Sequence, residues 1–532
     1  MKQNRRFKSL MIAVVLIFIT NSCFASNIDS GINSTNDNNN DSSKVSLGGA
    51  MDFLMPKAVW ENFYNLTKVP RPSHGEEQIS AYLANFGKDL ALETTVDEVG
   101  NVLIRKPATP GMENRKGLIL QAHMDMVAQK DADKEFDFQK DAIQAYMEDG
   151  WVKANGTTLG ADDGIGVAII MALLEDKKLV HGPLEALFTV NEEDGFTGIH
   201  GLKSDLLKGD IYINVDSETE GEFTIGSAGG LYIDAKKNYS EEGTPAQMVG
   251  YKIAIKGLKG GHSGADINLG RGNAAKILCR LLWTSQRLFG LRIASFNGGD
   301  RYNAIPREAD AVVVVPKSEA DSFAKYVQEF EATVQKELSA TEPSLIIEAE
   351  NADLPAKLMV AQSKVNLISA AYSCPNGILR MSDAVPGLVE TSSSMGILKA
   401  EKGEFWAGFY VRSSLDSARY DAGNMTRSVF ELAGANVSFG DSYSGWAPNP
   451  ESPILGLMKE VYQDKFDQEA KVIAIHAGLE TSVVGEKYPG MDMISLGPTL
   501  QHVHSPDERL EVSTVSKVYD LLTETLMRVP AV

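Results

Sequence analysis

The stretch GLILQAHMD, Gly117–Asp125, decides how this chain is read. It is a short apolar run that ends in a histidine and an aspartate two residues apart, the pattern of a buried strand closed by polar groups. Two further runs have the same form, EALFTVNEE (Glu185–Glu193) and DIYINVDSE (Asp210–Glu218). Between them GTTLGADDGIG (Gly156–Gly166) is a glycine-rich turn that opens a helix, and HVHSPDE (His502–Glu508) brings a histidine from near the C-terminus. In open α/β sheets, ligands collect beyond the carboxyl ends of the strands. These endings therefore predict one crevice able to hold two metal ions.

Working outward, strands and helices alternate up to Glu218. That alternation predicts an α/β catalytic domain with a mainly parallel central sheet and helices on both faces. Helices are expected from about Pro56 to Tyr64, from Gly75 to about Leu90 with Ser73 as candidate cap, and over Gly164–Asp176. At GSAGG (Gly226–Gly230) the texture changes to a strand-helix-strand-strand repetition. It reads as an inserted α+β lid domain over 230–442, with room for two similar lobes. The catalytic domain is then discontinuous, 49–229 and 443–532.

At 532 residues the chain is too long for one ordinary core. A formal net charge of −20 speaks against nucleic-acid binding, which wants a basic face. Lys2, Arg5, Arg6 and Lys8 precede the apolar run Leu10–Ile19, which reads as a signal peptide rather than a membrane span. Two endings fit: a signal over 1–25, or a lipoprotein signal that leaves Cys23 lipid-anchored. Residues 26–48, rich in Asn, Ser, Asp and Gly, read as a disordered tether. The expectation is an exported protein, periplasmic or membrane-anchored, of a bacterium, with no transmembrane domain beyond the leader. Cys279 and Cys374 allow either one disulfide or two buried thiols.

His123 and Asp125 fall on the same side of a strand. His123 is then a candidate metal ligand and Asp125 the carboxylate that fixes its tautomer. Asp162 and Asp163 open a helix, where one aspartate serves as a cap. Capping explains two less easily, so Asp162 is assigned as the carboxylate bridging the metals and Asp163 is left unassigned. Glu192 and Glu193 suit one ligand and one base, with a surface acidic patch as the alternative. Asp216 and His504 complete the set. Mixed imidazole and carboxylate donors suit two divalent ions, zinc first, with manganese or cobalt as substitutes.

The segments LQAHMDMV, TTLGADDGIG, NEEDGFTG, INVDSE, GGHSGADI, RYNAIPRE, VRSS, IHAGLE and GPTLQHVHSPDE, taken in this order, resemble the aminoacylase and glutamate carboxypeptidase superfamily of co-catalytic zinc peptidases. Within it they resemble the bacterial aminoacyl-histidine (Xaa-His) dipeptidase branch. The resemblance runs from Lys57 to the C-terminus. It implies that His123 and Asp216 serve one metal, Glu193 and His504 the other, and Asp162 both. It further implies Glu192 as general base, Asp125 as the group orienting His123, and His262 as polariser of the scissile carbonyl. Asn303, Arg412 and Gly478 match positions that hold the substrate's C-terminal end, while His476 and Glu480 receive no role. Asp163 stands where relatives often carry asparagine, and Thr481 where cysteine is common. Export also departs from the branch, whose members are typically cytoplasmic. The expected activity is that of a metal-dependent dipeptidase acting on Xaa-His or a broader set of dipeptides, with a homodimer left open. A tripeptidase, an aminoacylase-type amidohydrolase or an inactive peptide-binding lipoprotein are the alternatives.

Overall fold

The computed structural model describes residues 44–532. The expected signal, Cys23 and most of the tether therefore lie outside the described residues. Order begins earlier than the expected boundary. Val45 pairs with Met147 in a strand, and Leu47 and Ala50 of the following turn of helix are buried.

The sheet that carries the metal-type residues has eight strands. In spatial order they are Glu93–Val96, Val102–Lys106, Leu184–Thr189, Leu118–His123, Ile211–Asn214, Asp492–Ser495, Glu222–Ser227 and Lys471–Ile475. The sheet is mixed, with antiparallel pairs beside the expected parallel ones. Four neighbouring pairs are parallel and three antiparallel. The reason is local. Only the turn around Asp97–Asn101 separates the first two strands, and a connection that short joins antiparallel neighbours, since a parallel pair needs a long crossover.

Alternation along these strands builds two apolar layers. Leu118, Leu120, Ala122, Leu184, Ala186, Phe188, Ile211 and Ile213 point into the main core with Trp60, Phe63 and Ile79 of the N-terminal helices. Ile119, Leu187 and Tyr212 point the other way, against Leu479, Val483 and Val484. Ala161–Glu175 has buried residues all round, as a helix that is apolar on every side must. Its backbone becomes regular only after Asp162 and Asp163, whose φ/ψ values are non-helical. The N-terminal helices span Lys57–Leu66 and Glu77–Asp89.

Residues 229–443 form a second, nine-stranded sheet with its own core. Its order resolves into two units of the same kind. Met248–Lys256, Arg292–Asp300, Ala309–Pro316 and Ile346–Ala352, with helices Ala274–Leu288 and Ala320–Glu337, make a strand-helix-strand-strand-helix-strand unit. Gly229–Asn238, Val389–Glu401, Glu404–Ser413 and Asn436–Tyr443, with helices Ala361–Ser373 and Asp416–Leu432, make the other. In each, the fourth strand lies outside the first and the third lies between first and second. The first unit is inserted into the second, and antiparallel pairing of Arg292–Asp300 with Val389–Glu401 joins them. Cys279 and Cys374 are both free and buried.

Where the first sheet meets its helix, packing depends on a missing side chain. A Cβ on Gly166 would stand 2.2 Å from Asp163 Oδ1 and 2.7 Å from the Val215 carbonyl oxygen. Gly166→Ala must therefore push apart the turn that holds Asp162 and the strand end that holds Asp216. The expected cost is about 1–3 kcal/mol, read as a lower denaturation midpoint together with a lower bound-metal content. An unchanged midpoint with full metal content would contradict this packing argument.

Candidate metal centre

His123 closes its strand and is buried. Its Nδ1 lies 3.3 Å from Asp125 Oδ1, and its Nε2 lies 3.1 Å from Asp162 Oδ1 and 3.4 Å from Asp216 Oδ1. A neutral imidazole that donates Nδ1–H to Asp125 turns the Nε2 lone pair toward two carboxylate oxygens. His504 repeats the pattern, with Nε2 3.1 Å from Asp162 Oδ2 and 3.0 Å from Glu193 Oε2. Asp162 thus faces one histidine with each of its oxygens. With both imidazoles neutral, lone pair would face lone pair, a conflict that cations between them would relieve, and Glu193 Oε1 is buried without a partner. Ligand atoms of His123, Asp162 and Asp216, and again of Asp162, Glu193 and His504, lie within 4.8 Å of one another. Separations of 3.0–3.4 Å within these groups match the roughly 3.3 Å edge of a tetrahedron with bonds of about 2.0 Å. The donors fit two divalent ions.

The surrounding charges agree. Burial pushes Asp216 up to about 7 against the pull of His123. Burial likewise opposes ionisation of Asp162, but hydrogen bonds from His123 and His504 hold it far below the usual carboxylate range. Glu192 and Asp163 are both raised well above ordinary values, by burial first and then by neighbours that include Asp216. His504 is raised to about 11 by its hydrogen bonds to Asp162 and Glu193. Asp163, left unassigned from sequence, points away from the donors. It accepts from the backbone N–H of His123 at 3.3 Å and of Gly166 at 3.1 Å.

The remaining candidates gather elsewhere. His262 Nε2 meets Arg412 Nη2 at 3.1 Å, and His476 Nε2 meets Ser392 Oγ at 2.7 Å. Gly478 leaves no room for a side chain, since a Cβ would lie 2.7 Å from Tyr443 Oη and 3.1 Å from a ring carbon of Phe196. Asn303 is exposed, and its backbone carbonyl accepts from Ser263 N–H at 2.8 Å. Among the described residues no hydrogen bond or ion pair joins this group directly to the five metal-type donors.

Sequence reasoning missed the supports. Ser73 does not cap the Glu77–Asp89 helix. Its hydroxyl donates to Asp125 Oδ2 at 2.8 Å, because the helix starts later and the chain there runs beside Met126. Asp125 also accepts from the backbone N–H of Glu192 at 3.0 Å, so one carboxylate orients His123 and fixes the Glu192 turn. Buried Arg71 donates to the carbonyls of Met124, Asp125 and Gly160. Glu508 accepts from the N–H groups of Leu159, Gly160, Ala161 and Asp162 at 2.7–3.2 Å. Glu480 accepts from Gln121 Nε2 at 2.6 Å and Thr189 Oγ1 at 2.7 Å, tying together the strands that lead to His123 and Glu192. The TTLGADD, IHAGLE and HSPDE motifs contain three of these supporting segments, but motif membership gave Glu480 no firm role and assigned Glu508 nothing.

A dinuclear donor set at the carboxyl ends of an α/β sheet is the property of a metallohydrolase. Peptidase family M20/M25/M40 matches residues 119–528. The chain belongs to this family and is a hydrolase of peptide bonds. It is 42% identical over 478 residues, 90% of this chain and 99% of the relative, to the Escherichia coli (strain K12) protein named Cytosol non-specific dipeptidase. The crystal structure of aminoacylhistidine dipeptidase from Vibrio alginolyticus superposes with TM-score 0.85 at 40% identity, covering 91% of this chain and 98% of that one. A Staphylococcus aureus tripeptidase, 17% identical with TM-score 0.53 over 90% of this chain and 99% of its own, shares the fold. The match to E. coli corrects the expectation of export, since that relative is named as cytosolic. The expected lipid anchor at Cys23 lies outside the described residues and gains no support from that relative. Among the described residues no helix is long and apolar enough to cross a membrane.

The histidine charge gives a test with a defined sign. In metal-free protein the raised His504 contributes stability that is full below its ordinary value of 6.5 and is lost as pH rises toward about 11. A cation bound at Nε2 must expel that proton, so metal uptake near neutral pH releases it, and apparent affinity rises up to about tenfold per pH unit. Calorimetric titration of zinc into chelator-stripped protein, in buffers of different ionisation enthalpy, counts the protons. Uptake without proton release would contradict the assignment of His504 as a donor.

Proposed function

We propose that this chain is a metal-dependent dipeptidase in which Asp162 bridges two divalent ions, His123 and Asp216 completing one site and Glu193 and His504 the other. The observation that carries the reading is the division of Asp162, one oxygen toward each histidine. Zinc is the ion that mixed imidazole and carboxylate donors favour, with manganese or cobalt as substitutes. When bound, such a pair acidifies a water and stabilises the oxygens of the tetrahedral intermediate.

The chain's own groups do the rest. Asp125 keeps the proton of His123 on Nδ1, leaving Nε2 free as a donor. Glu192 takes the proton of the attacking water and delivers it to the leaving amine. Its burial and then its carboxylate neighbours raise its proton affinity, the direction that task needs. His262 Nδ1 accepts the Ala265 N–H at 3.0 Å, which leaves the hydrogen of the neutral ring on Nε2. Burial and then the charge of Arg412 hold that ring down to about 4, so it is neutral at ordinary pH. Nε2–H therefore faces the N–H of Arg412, donor against donor, and an oxygen of the substrate resolves the conflict.

Arg412 is buried, stacks on Tyr410 at 4.0 Å, and keeps its Nε without a partner. No carboxylate pairs with it among the described residues, which suits the terminal carboxylate of a short peptide. Gly478 and Asn303 are assigned to the same end of the substrate. The domain reading follows: residues 49–229 and 443–532 supply the metals and base, and 230–442 forms a lid bearing His262 and Arg412. Dipeptides of the Xaa-His type and broader sets are the substrates, in line with the names of both relatives. The E. coli name also supports a cytosolic location.

Wild-type protein loaded with zinc is expected to hydrolyse Ala-His and β-Ala-His. Glu192→Gln lowers kcat by about 10²–10⁴ with full metal content by elemental analysis, and chelation removes the activity. Turnover that survives both treatments would refute the mechanism.

A further inference from the structure

A cavity of about 380 Å³ lies between the loop after His262, the loop Val385–Val389 and the strand Lys471–Ile475. It adjoins Arg412. A Cβ on Gly264, which lines the cavity, would stand 2.8 Å from Arg412 Nε and 2.3 Å from the backbone oxygen of His476, another lining residue. The strand Lys471–Ile475 is the last in its sheet, so no further strand covers its outer side. Much of the wall is apolar, from Ala265, Leu388, Val389, Val472, Ile473 and Ile475. No carboxylate lines it, and the amine of Lys471 is already paired with Glu222 at 2.7 Å.

We propose that this cavity receives the side chain of the substrate's C-terminal residue and selects for large uncharged groups, from leucine to aromatic rings and neutral imidazole. The inference rests on the reading of Arg412 as the group that binds the terminal carboxylate. In an α-amino acid the carboxylate and the side chain leave the same carbon, so the pocket beside the guanidinium takes the side chain. Its apolar wall gains from covering hydrocarbon. A lysine or arginine would enter it with no counter-charge, beside a guanidinium already in place, and that burial is unfavourable. Glycine would leave the wall uncovered.

The test uses the full-length, metal-loaded enzyme and kcat/KM for Ala-Gly, Ala-Leu, Ala-Phe and Ala-Lys. Ala-Phe and Ala-Leu should exceed both Ala-Gly and Ala-Lys by at least about tenfold, the scale on which apolar pockets discriminate. Ala474→Trp, which fills the cavity from the strand, should cut the Ala-Phe to Ala-Gly ratio by a similar factor. Val385→Glu, on the loop at the rim, should raise the Ala-Lys to Ala-Leu ratio at least about tenfold, and it serves if the tryptophan variant does not fold. Ratios that stay the same in Val385→Glu, or a wild type indifferent to the second residue, would overturn the proposal. Ala-Leu amide separates the two readings. If the amide is cleaved as well as the free acid, the assignment of Arg412 fails. If the acid is preferred but the ratios do not move, the cavity assignment alone fails.

Discussion

Crowded buried carboxylates are the constraint on which this structure turns. Asp162, Asp163, Glu192, Glu193, Asp216, Glu218 and Glu480 all interact within one region, against two imidazoles and the guanidinium of Arg71. A buried carboxylate without a partner takes up a proton or attracts a cation. The rise of Glu218 to about 7 and of Glu480 to about 8, each led by burial, measures that pressure. Divalent ions relieve it most directly, because two of them bring four positive charges to the donors that face one another.

The scaffold holds this arrangement through the backbone. Glu508 gathers four consecutive N–H groups that begin the Asp162 turn, and Arg71 ties the Gly160 carbonyl of that turn to the Met124 carbonyl just beyond the His123 strand. Each leaves a charge buried, and each charge has hydrogen bonds to fixed dipoles, the condition under which such burial is tolerated. Asp125 serves two ends at once, orienting His123 and pinning the Glu192 amide. The donors are thereby fixed before any ion arrives, and little reorganisation is left for binding.

Much of the site was legible because its chemistry coincides with strand ends. GLILQAHMD places His123 and Asp125 by simple alternation, and both lie where that pattern puts them. Glu192 and Glu193 were separable in role only as residues of a turn, and the turn is what the Asp125 hydrogen bonds hold. The supports were not legible. Arg71 and Glu508 act on backbone atoms far along the chain, and the local sequence carries no mark of such partners. Sheet direction was legible only in part: the antiparallel pairs depend on loop length and on partners beyond the neighbouring segment, which hydrophobic pattern does not encode. The repetition in 229–443 was visible as texture, yet the insertion of one unit within the other appears only in strand order.

The two clusters of polar groups are opposite in kind. Around Asp162, buried carboxylates outnumber the two imidazoles that face them, an excess of acceptors that divalent cations would balance. Between His262 and Arg412, donors face donors, and the arrangement lacks an anionic or carbonyl oxygen. His262 comes from the inserted unit of the nine-stranded sheet and Arg412 from the unit that receives it, so this pair exists only because the two units share an edge. On the proposed function, a peptide bond beside a terminal carboxylate would supply oxygens to the second cluster and a carbon open to attack at the first. On the proposed reading of Arg412, the length of substrate is set by the guanidinium. If Arg412 holds the terminal carboxylate, as proposed, a chain that continued past that residue would bring a peptide group to the guanidinium and leave its buried charge without an ion partner.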